Sequence, residues 1–381
     1  MKRSIFIFLI LYCLFFTGCW NYREINEMQL VTAAAIDYDG GNDKYFVTVE
    51  VFNPQHMGSH DSGGLLYSTG ESVFDCFRNL ILRSGRRLYW GHTEIFIVSR
   101  EVAERSLLPI LDILFRDAEV RDDMLIFVAE EDNASDILRL GRHKLHGLAG
   151  FHIEDVIKAE SSISKYRRMP AWKFIQSMYA QGPASTLPLI KLDRSGEKEI
   201  PKVGGTAVFE GDKLVGTLDE TETRSLLWIL DELKGGVFVV PVKDGGKAEE
   251  VTLEIFESKT DTKAVYAGNQ VTMKIHVETT VNIEEIGGTT DYMDEKKMMH
   301  LKKDGEARIE KEIKNVIGKV QREFAADVFK FSTVIQDEMP KVWREIEPNW
   351  HETFKKLPVN VQVTLKIRGS ALMGKPIKIS R

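Results

Sequence analysis

The chain has 381 residues, three cysteines and a formal charge of −6, with acidic and basic residues spread along it. A net acid surface with no basic block excludes a nucleic-acid binder and gives no electrostatic hold on anionic lipid. The length suits two or three domains stabilised by apolar burial.

Met1-Lys2-Arg3 precedes an apolar run from Ile5 to Phe16 and then Thr17-Gly18-Cys19. A permanent span needs about 20 apolar residues, and Asn21, Arg23 and Glu24 close this run early. Residues 1–18 therefore read as a cleaved signal peptide. A small pair before a cysteine is what bacterial lipoprotein processing requires, so Cys19 is the predicted lipidation site; the alternative is an ordinary secretory signal with an incidental cysteine. Two acyl chains hold a protein on a membrane where one gives only marginal binding. Loss of Lys2 and Arg3 takes the charge from −6 to −8, and loss of Cys13 leaves Cys76 alone beside the lipidated Cys19. No intramolecular disulfide is expected.

Leu30 to Ile36, the turn Asp37 to Asp43, and Tyr45 to Val51 read as a hairpin. Ser72 caps a helix carrying Val73, Phe77, Leu80 and Ile81, ended by Gly85. Glu94 to Val98 is a strand, Glu101 to Arg116 a helix that Pro109 kinks or divides, Met124 to Ala129 a buried strand, and Asn133 to Leu140 a short helix. From 141 to 200 the pattern is weaker, with helical stretches at 151–160 and 172–179 and a Pro-containing connection at 182–188. Val203 to Phe209, the turn at 210–212, Lys213 to Gly216, a helix from Asp219 to Leu233 and a strand from Val237 to Pro241 read as a small unit closed by the turn 243–247.

The last third alternates most clearly. Val271, Met273, Ile275, Val277, Thr279, Val281 and Ile283 occupy every second position, and Val359, Val361, Val363, Leu365 and Ile367 repeat the device. Ile309, Ile313, Val316, Val320, Phe324 and Val328 mark one face of a long amphipathic helix that should cross that sheet. The fold class is α+β, with mainly antiparallel sheets covered by helices. The expected divisions are 19–195 (N-terminal α/β), 196–247 (small middle domain) and 248–381 (C-terminal α+β).

Candidate chemistry is sparse. His143, His146 and His152 lack a carboxylate at zinc spacing, and Gly147 and Gly150 make their segment loop-like. Asp37, Asp39 and Asp43 resemble the start of a calcium loop, but Asn42 and Thr48 stand where that loop needs Gly and Glu. Ser162-Ile163-Ser164-Lys165 fits S-x-x-K without the companion motifs of penicillin-recognising enzymes. There is no P-loop, G-x-S-x-G, G-x-G-x-x-G or C-x-x-C. No catalytic residue, metal site or cofactor is expected, and a binding or assembly role is favoured.

The blocks Gly18-Cys19-Trp20 with Arg23 to Asn26, Ala35-Ile36-Asp37, Gly70 to Phe74, Gly85 to His92, Leu111-Asp112 with Arg116-Asp117 and Glu119 to Arg121, Gly204 to Leu218, and Trp343 with Trp350 occur in an order similar to the Ger(x)C spore germination lipoproteins. Those are the C subunits of nutrient germinant receptors in endospore-forming bacteria. The resemblance implies a non-enzymatic protein of three mixed domains, acylated at Cys19 and lying on the outer face of the spore inner membrane. It implies partnership with integral membrane A and B subunits in the response to amino acids or sugars that triggers ion and dipicolinate release. Tyr89, Trp90 and His92 are the expected partner contacts because aromatic groups dominate interface energies, with Arg116 and Arg121 as a possible polar patch. The bland readings are that Trp90 fills the core and that the arginines form local salt bridges. Two alternatives are a solute-binding lipoprotein serving a transporter and an envelope hydrolase resting on S-x-x-K; the first needs two doubly wound lobes.

Overall fold

The computed structural model describes residues 28–53, 63–141, 147–180, 182–194, 199–244, 247–292 and 294–370. The fold is mixed α+β. Strands β1 (Met28–Asp39), β2 (Lys44–Phe52), β3 (Gly63–Gly70), β4 (Arg87–Tyr89), β5 (Ile95–Val98), β6 (Leu125–Ala129), β7 (Ser185–Asp193), β8 (Ile200–Glu210) and β9 (Lys213–Leu218) form one sheet. Its order is β3-β2-β1-β5-β6-β7-β8-β9, with β4 beside the start of β1. Strands β10 (Val237–Asp244), β11 (Lys247–Ala267), β12 (Gln270–Ile286) and β13 (Val359–Ser370) form a second sheet in chain order.

The centre of the first sheet is parallel: β1, β4, β5, β6 and β7 run together. Its flanks, β1-β2-β3 and β7-β8-β9, are antiparallel. Parallel neighbours need crossovers, and the helices supply them on both faces. Helices α1 (Val73–Ser84), α2 (Arg100–Arg105) and α3 (Leu108–Arg116) cover one face; α4 (Ser135–Gly141) and α5 (Ala149–Lys158) cover the other; α6 (Ala171–Tyr179) joins the first group. A bulge between Val31 and Ala33 shifts the alternation, so that Val31 and Ala34 face one core while Ala33 and Ala35 face the other. Ser72 and Gly85 cap α1 as expected, the latter left-handed at φ 64°. The stretch from Glu101 to Arg116 is divided at Ser106, with Pro109 in the first turn of α3.

Helix α7 (Glu220–Ile229) opens with a capping box between Asp219 and Glu222 and belongs to the second core, although it follows β9 of the first sheet. Trp228 within it is wholly buried and donates to Thr279 Oγ1 at 3.2 Å. Helix α8 (Glu295–Lys319) crosses the second sheet; at Gly305 a Cβ would lie 2.6 Å from the Leu365 Cδ2 methyl, so a larger residue would push that side chain aside. Helices α9 (Phe331–Glu338), α10 (Pro340–Ile346) and α11 (Trp350–Lys356) return the chain to β13.

Several expectations are corrected. β13 is parallel to β12; alternation reports a one-sided sheet, not strand direction, and the helices from α8 to α11 are the crossover. The connection at 182–188 is mostly β7, with a register shift at Pro188, which lacks a ladder donor. Gly150 is helical: its hydrogen stands where a Cβ would meet Glu50 at 3.0 Å and Ala33 at 3.2 Å. The long helix does not run on to Val328. After Lys319 it widens into a π turn over Val320–Phe324 and stops at left-handed Ala325. Phe324 is turned onto β9, its ring filling the space above Gly216, where a Cβ would come within 2.1 Å. The residues of 196–247 divide between the sheets: β8 and β9 complete the first, β10 begins the second, and Leu226, Trp228 and Ile229 pack in the second core.

Candidate functional site

Because β1, β4, β5 and β6 are parallel, the segments entering them meet at one edge of the first sheet. That edge carries Met28, the turn 89–94, the end of α3 and the segment 117–124. Tyr89, His92, Arg116 and Arg121, distant in sequence, are thereby brought to the same end of the molecule. An ion pair between Arg87 and Glu119 at 2.5 Å ties the β4 segment to the one before β6.

Trp90 does not join that surface. It is buried, with its ring centroid 4.1 Å from Phe77 and 6.2 Å from Phe96. Tyr89 and His92 remain accessible and meet edge to face at 5.7 Å. The Tyr89 ring lies over Gly91, where a Cβ would come within 2.5 Å of the phenol oxygen. Arg116, in the last turn of α3, pairs with Asp112 one turn back at 2.5 Å. Arg121 grips Asp123 with two hydrogen bonds of 2.8 and 2.7 Å. Hydrogen bonding from these guanidiniums holds both carboxyls below their ordinary range. Each pair is local and solvated, which makes it a weak contributor to stability and leaves guanidinium faces available beside exposed Phe115.

Cys19, His143 and His146 lie outside the described residues. His152 contacts the Pro201 carbonyl through Nε2 at 3.3 Å. Asp39 closes the hairpin turn by accepting from Gly41 and Asn42, and Asp37 points away from that turn. Its buried carboxylate accepts from the backbone of Ala134 at 2.6 Å and Ser135 at 3.1 Å, capping α4. Burial raises the Asp37 pKa, and the bonds from Ser135 and Ala134 oppose that shift. Ser162, the serine of S-x-x-K, is exposed at the end of a short 3-10 turn over Glu160–Ser162, the intervening Ser164 is buried and donates to the Gly235 carbonyl, and Lys165 pairs with Glu220 at 3.0 Å. None of the three is arranged as a nucleophile with its base. Among the described residues, no three His, Cys, Asp or Glu side chains are grouped to hold a metal ion. Burial, and then the Asp75 charge, pushes the Cys76 thiol up to about 11; so protonated, it is a poor nucleophile.

The helix-capping carboxylates inside the fold are barely visible in the residue pattern. Glu50, wholly buried in β2, accepts from Ala149 N at 2.7 Å, Gly150 N at 2.9 Å and Thr32 Oγ1 at 2.9 Å. Asp327 accepts from Phe331 N at 3.0 Å, Ser332 N at 2.8 Å and Ser332 Oγ at 2.7 Å at the start of α9. Their one legible trace is an acid at an inward position of an apolar run, as at Glu50 between Val49 and Val51.

Residues 21–192 match the family described as "Spore germination protein N-terminal domain", and residues 204–371 match "Spore germination B3/ GerAC like, C-terminal". Over nearly its whole length the chain is similar to three proteins of Bacillus subtilis (strain 168). Spore germination protein YndF is 27% identical, with 96% of each chain covered. Spore germination protein B3 is 24% identical over 98% of this chain and 99% of the relative, and spore germination protein KC is 23% identical over 99% and 98%. The crystal structure of the GerBC protein superposes with a TM-score of 0.60 at 21% identity, covering 88% of this chain and 97% of that one, which shows a shared fold.

Proposed function

The chain belongs to the GerAC-like family of spore germination proteins, and from that premise we propose that it is the lipid-anchored C subunit of a nutrient germinant receptor. In this reading Cys19 is acylated and the body lies on the outer face of the spore inner membrane. It works by contact with integral membrane A and B subunits and carries out no catalysis.

The observation that carries the reading is the convergence of Tyr89, His92, Arg116 and Arg121 on the sheet edge where β1 begins. Residues 20–27, extended at about 3.3–3.6 Å each, reach no farther than about 30 Å. A lipid on Cys19 therefore holds this edge within that reach of the membrane and of subunits embedded in it. No helix among the described residues is long and apolar enough to cross a membrane, so attachment rests on the acyl chains. The solute-binding alternative calls for two doubly wound lobes; here one half has a doubly covered sheet and the other a sheet with alternating strands.

The test joins fractionation to cross-linking. Cys19→Ala should release the folded protein from spore membranes, and the variant still pelleting after a high-salt wash would contradict the anchor. A photocross-linker on His92→Cys should capture a membrane subunit, while one on Lys263→Cys, exposed on β11 of the second sheet, should not; buried Cys76 leaves the label selective. The reverse pattern would refute the assignment of this edge.

A further inference from the structure

A cleft of about 660 Å3 opens at the junction of the two halves. The first half supplies residues from 160–184, including the accessible side of α6, and the second supplies 231–234 and 330–333. Its charges are unevenly matched. Arg167 is buried and grips Glu232 with two hydrogen bonds of 2.6 Å, while its third arm reaches Thr186 Oγ1 at 2.9 Å. Burial opposes ionisation of Glu232, but the Arg167 bonds and charge outweigh it and hold the carboxyl below its ordinary value. Lys234 pairs with Glu160 at 3.4 Å, and Asp231 accepts from the backbone of Thr260 at 2.7 Å.

The lining carboxylates are thus engaged, and three cations are left over. Arg168, Lys173 and Lys330 line the cleft without a direct ion pair among the described residues, although the Glu232 charge reaches Lys173 and Lys330. Lys173 lies over the Trp172 ring, whose centroid is 5.4 Å from Nζ. In a chain of formal charge −6, a concave wall lined by five cations against three carboxylates focuses positive potential. Desolvation, and then the nearby Arg167 charge, lower the Lys330 pKa. Lys330 also takes a left-handed backbone, φ 59° and ψ 31°, a conformation uncommon for a residue of its kind and one that persists only where surroundings enforce it. Met169, Pro170, Pro183 and Ala184 add an apolar wall, and the volume lies within the range of small-molecule sites.

We propose that this cleft binds a small organic anion bearing two or more carboxylate or phosphate groups, held by Arg168, Lys173 and Lys330 with its carbon body against the Pro170–Pro183 wall. Lys330 belongs to the second half and the other two cations to the first, so the ligand bridges the halves. The proposal is independent of membrane docking, because a soluble anion needs no partner subunit.

The test is thermal unfolding of the full chain in neutral detergent, with citrate as the organic anion, inorganic phosphate as a compact one and NaCl at matched ionic strength. Citrate should raise the midpoint saturably, as a ligand of the native state must, with a smaller rise from phosphate and none from NaCl beyond screening. Lys330→Gly suits the left-handed backbone and keeps the fold testable, and Lys173→Gln changes an exposed side chain. Each should weaken citrate binding about tenfold, as expected for loss of one charged hydrogen bond. A citrate effect no larger than that of NaCl, or one undiminished in both variants, would overturn the proposal.

Discussion

β5 and β6 of the first sheet are buried at every position, whereas β12 of the second alternates buried and exposed residues for most of its length. The first sheet is covered on both faces and the second on one. Where both faces of the first are covered, a charge on a strand has no water on either side and must be answered by backbone donors; Glu50 and Asp37 are answered by the N-termini of α5 and α4. In the second, charges on β12 and β13 stand on the wet face, as Glu278 and Lys366 do at 2.8 Å. The same residue type is therefore a structural keystone in one half and a solvated ornament of the other's surface.

Substitutions sharpen that contrast. Glu50→Ala should have the largest effect, because it leaves the Ala149 and Gly150 N–H groups buried without acceptors and opens a cavity between β2 and α5. A loss of about 4 kcal/mol is expected, read from urea denaturation; a loss under about 1 kcal/mol would mean that water reaches the site.

Asp327 comes next. Burial pushes its carboxyl up to about 6 despite the bonds from Ser332 and Phe331, above the ordinary value of 3.8. The folded state therefore binds the proton more tightly than the unfolded one. The site's contribution is fully present below about pH 4 and is lost as pH rises through about 6, by an amount on the order of 3 kcal/mol. Asp327→Asn cannot titrate, so the stability of the native protein relative to this variant should fall across that window. A constant difference from pH 4 to 7 would show that Asp327 titrates normally.

The smallest effect belongs to Glu278→Gln on the wet face of the second sheet. Its pairing with Lys366 is fully solvated, and the denaturation midpoint should not move beyond measurement error. A clear loss would mean that this face is covered.

The same asymmetry explains what could be read from the residues. Where one face is wet, period two is visible, and the stretches 271–283 and 359–367 were legible as strands. Where both faces are covered, strands are short apolar runs, which worked for Glu94–Val98 and Met124–Ala129 but left strand order and direction undetermined. β7 was hidden by Pro188. β11 was hidden because beyond Ile255 none of its residues is fully buried and most are polar, so no apolar alternation marks that half of the strand. The helix stripe from Ile309 was legible as far as Val320, but the π turn that aims Phe324 at Gly216 depends on a residue more than a hundred positions away. Of the expected contact residues, Tyr89, His92, Arg116 and Arg121 were named without any means of knowing that parallel strands would gather them at one edge. Trp90 was placed beside them by sequence proximity, and its burial on Phe77 follows from the side-chain alternation of β4 and its continuation.

The central claim is that the body acts by contact and not by capturing the nutrient. Isothermal titration of the full chain in neutral detergent against neutral amino acids and sugars addresses it directly. The account predicts no saturable heat for any of them. A nutrient bound with micromolar affinity, about −8 kcal/mol, would contradict it and restore the solute-binding reading.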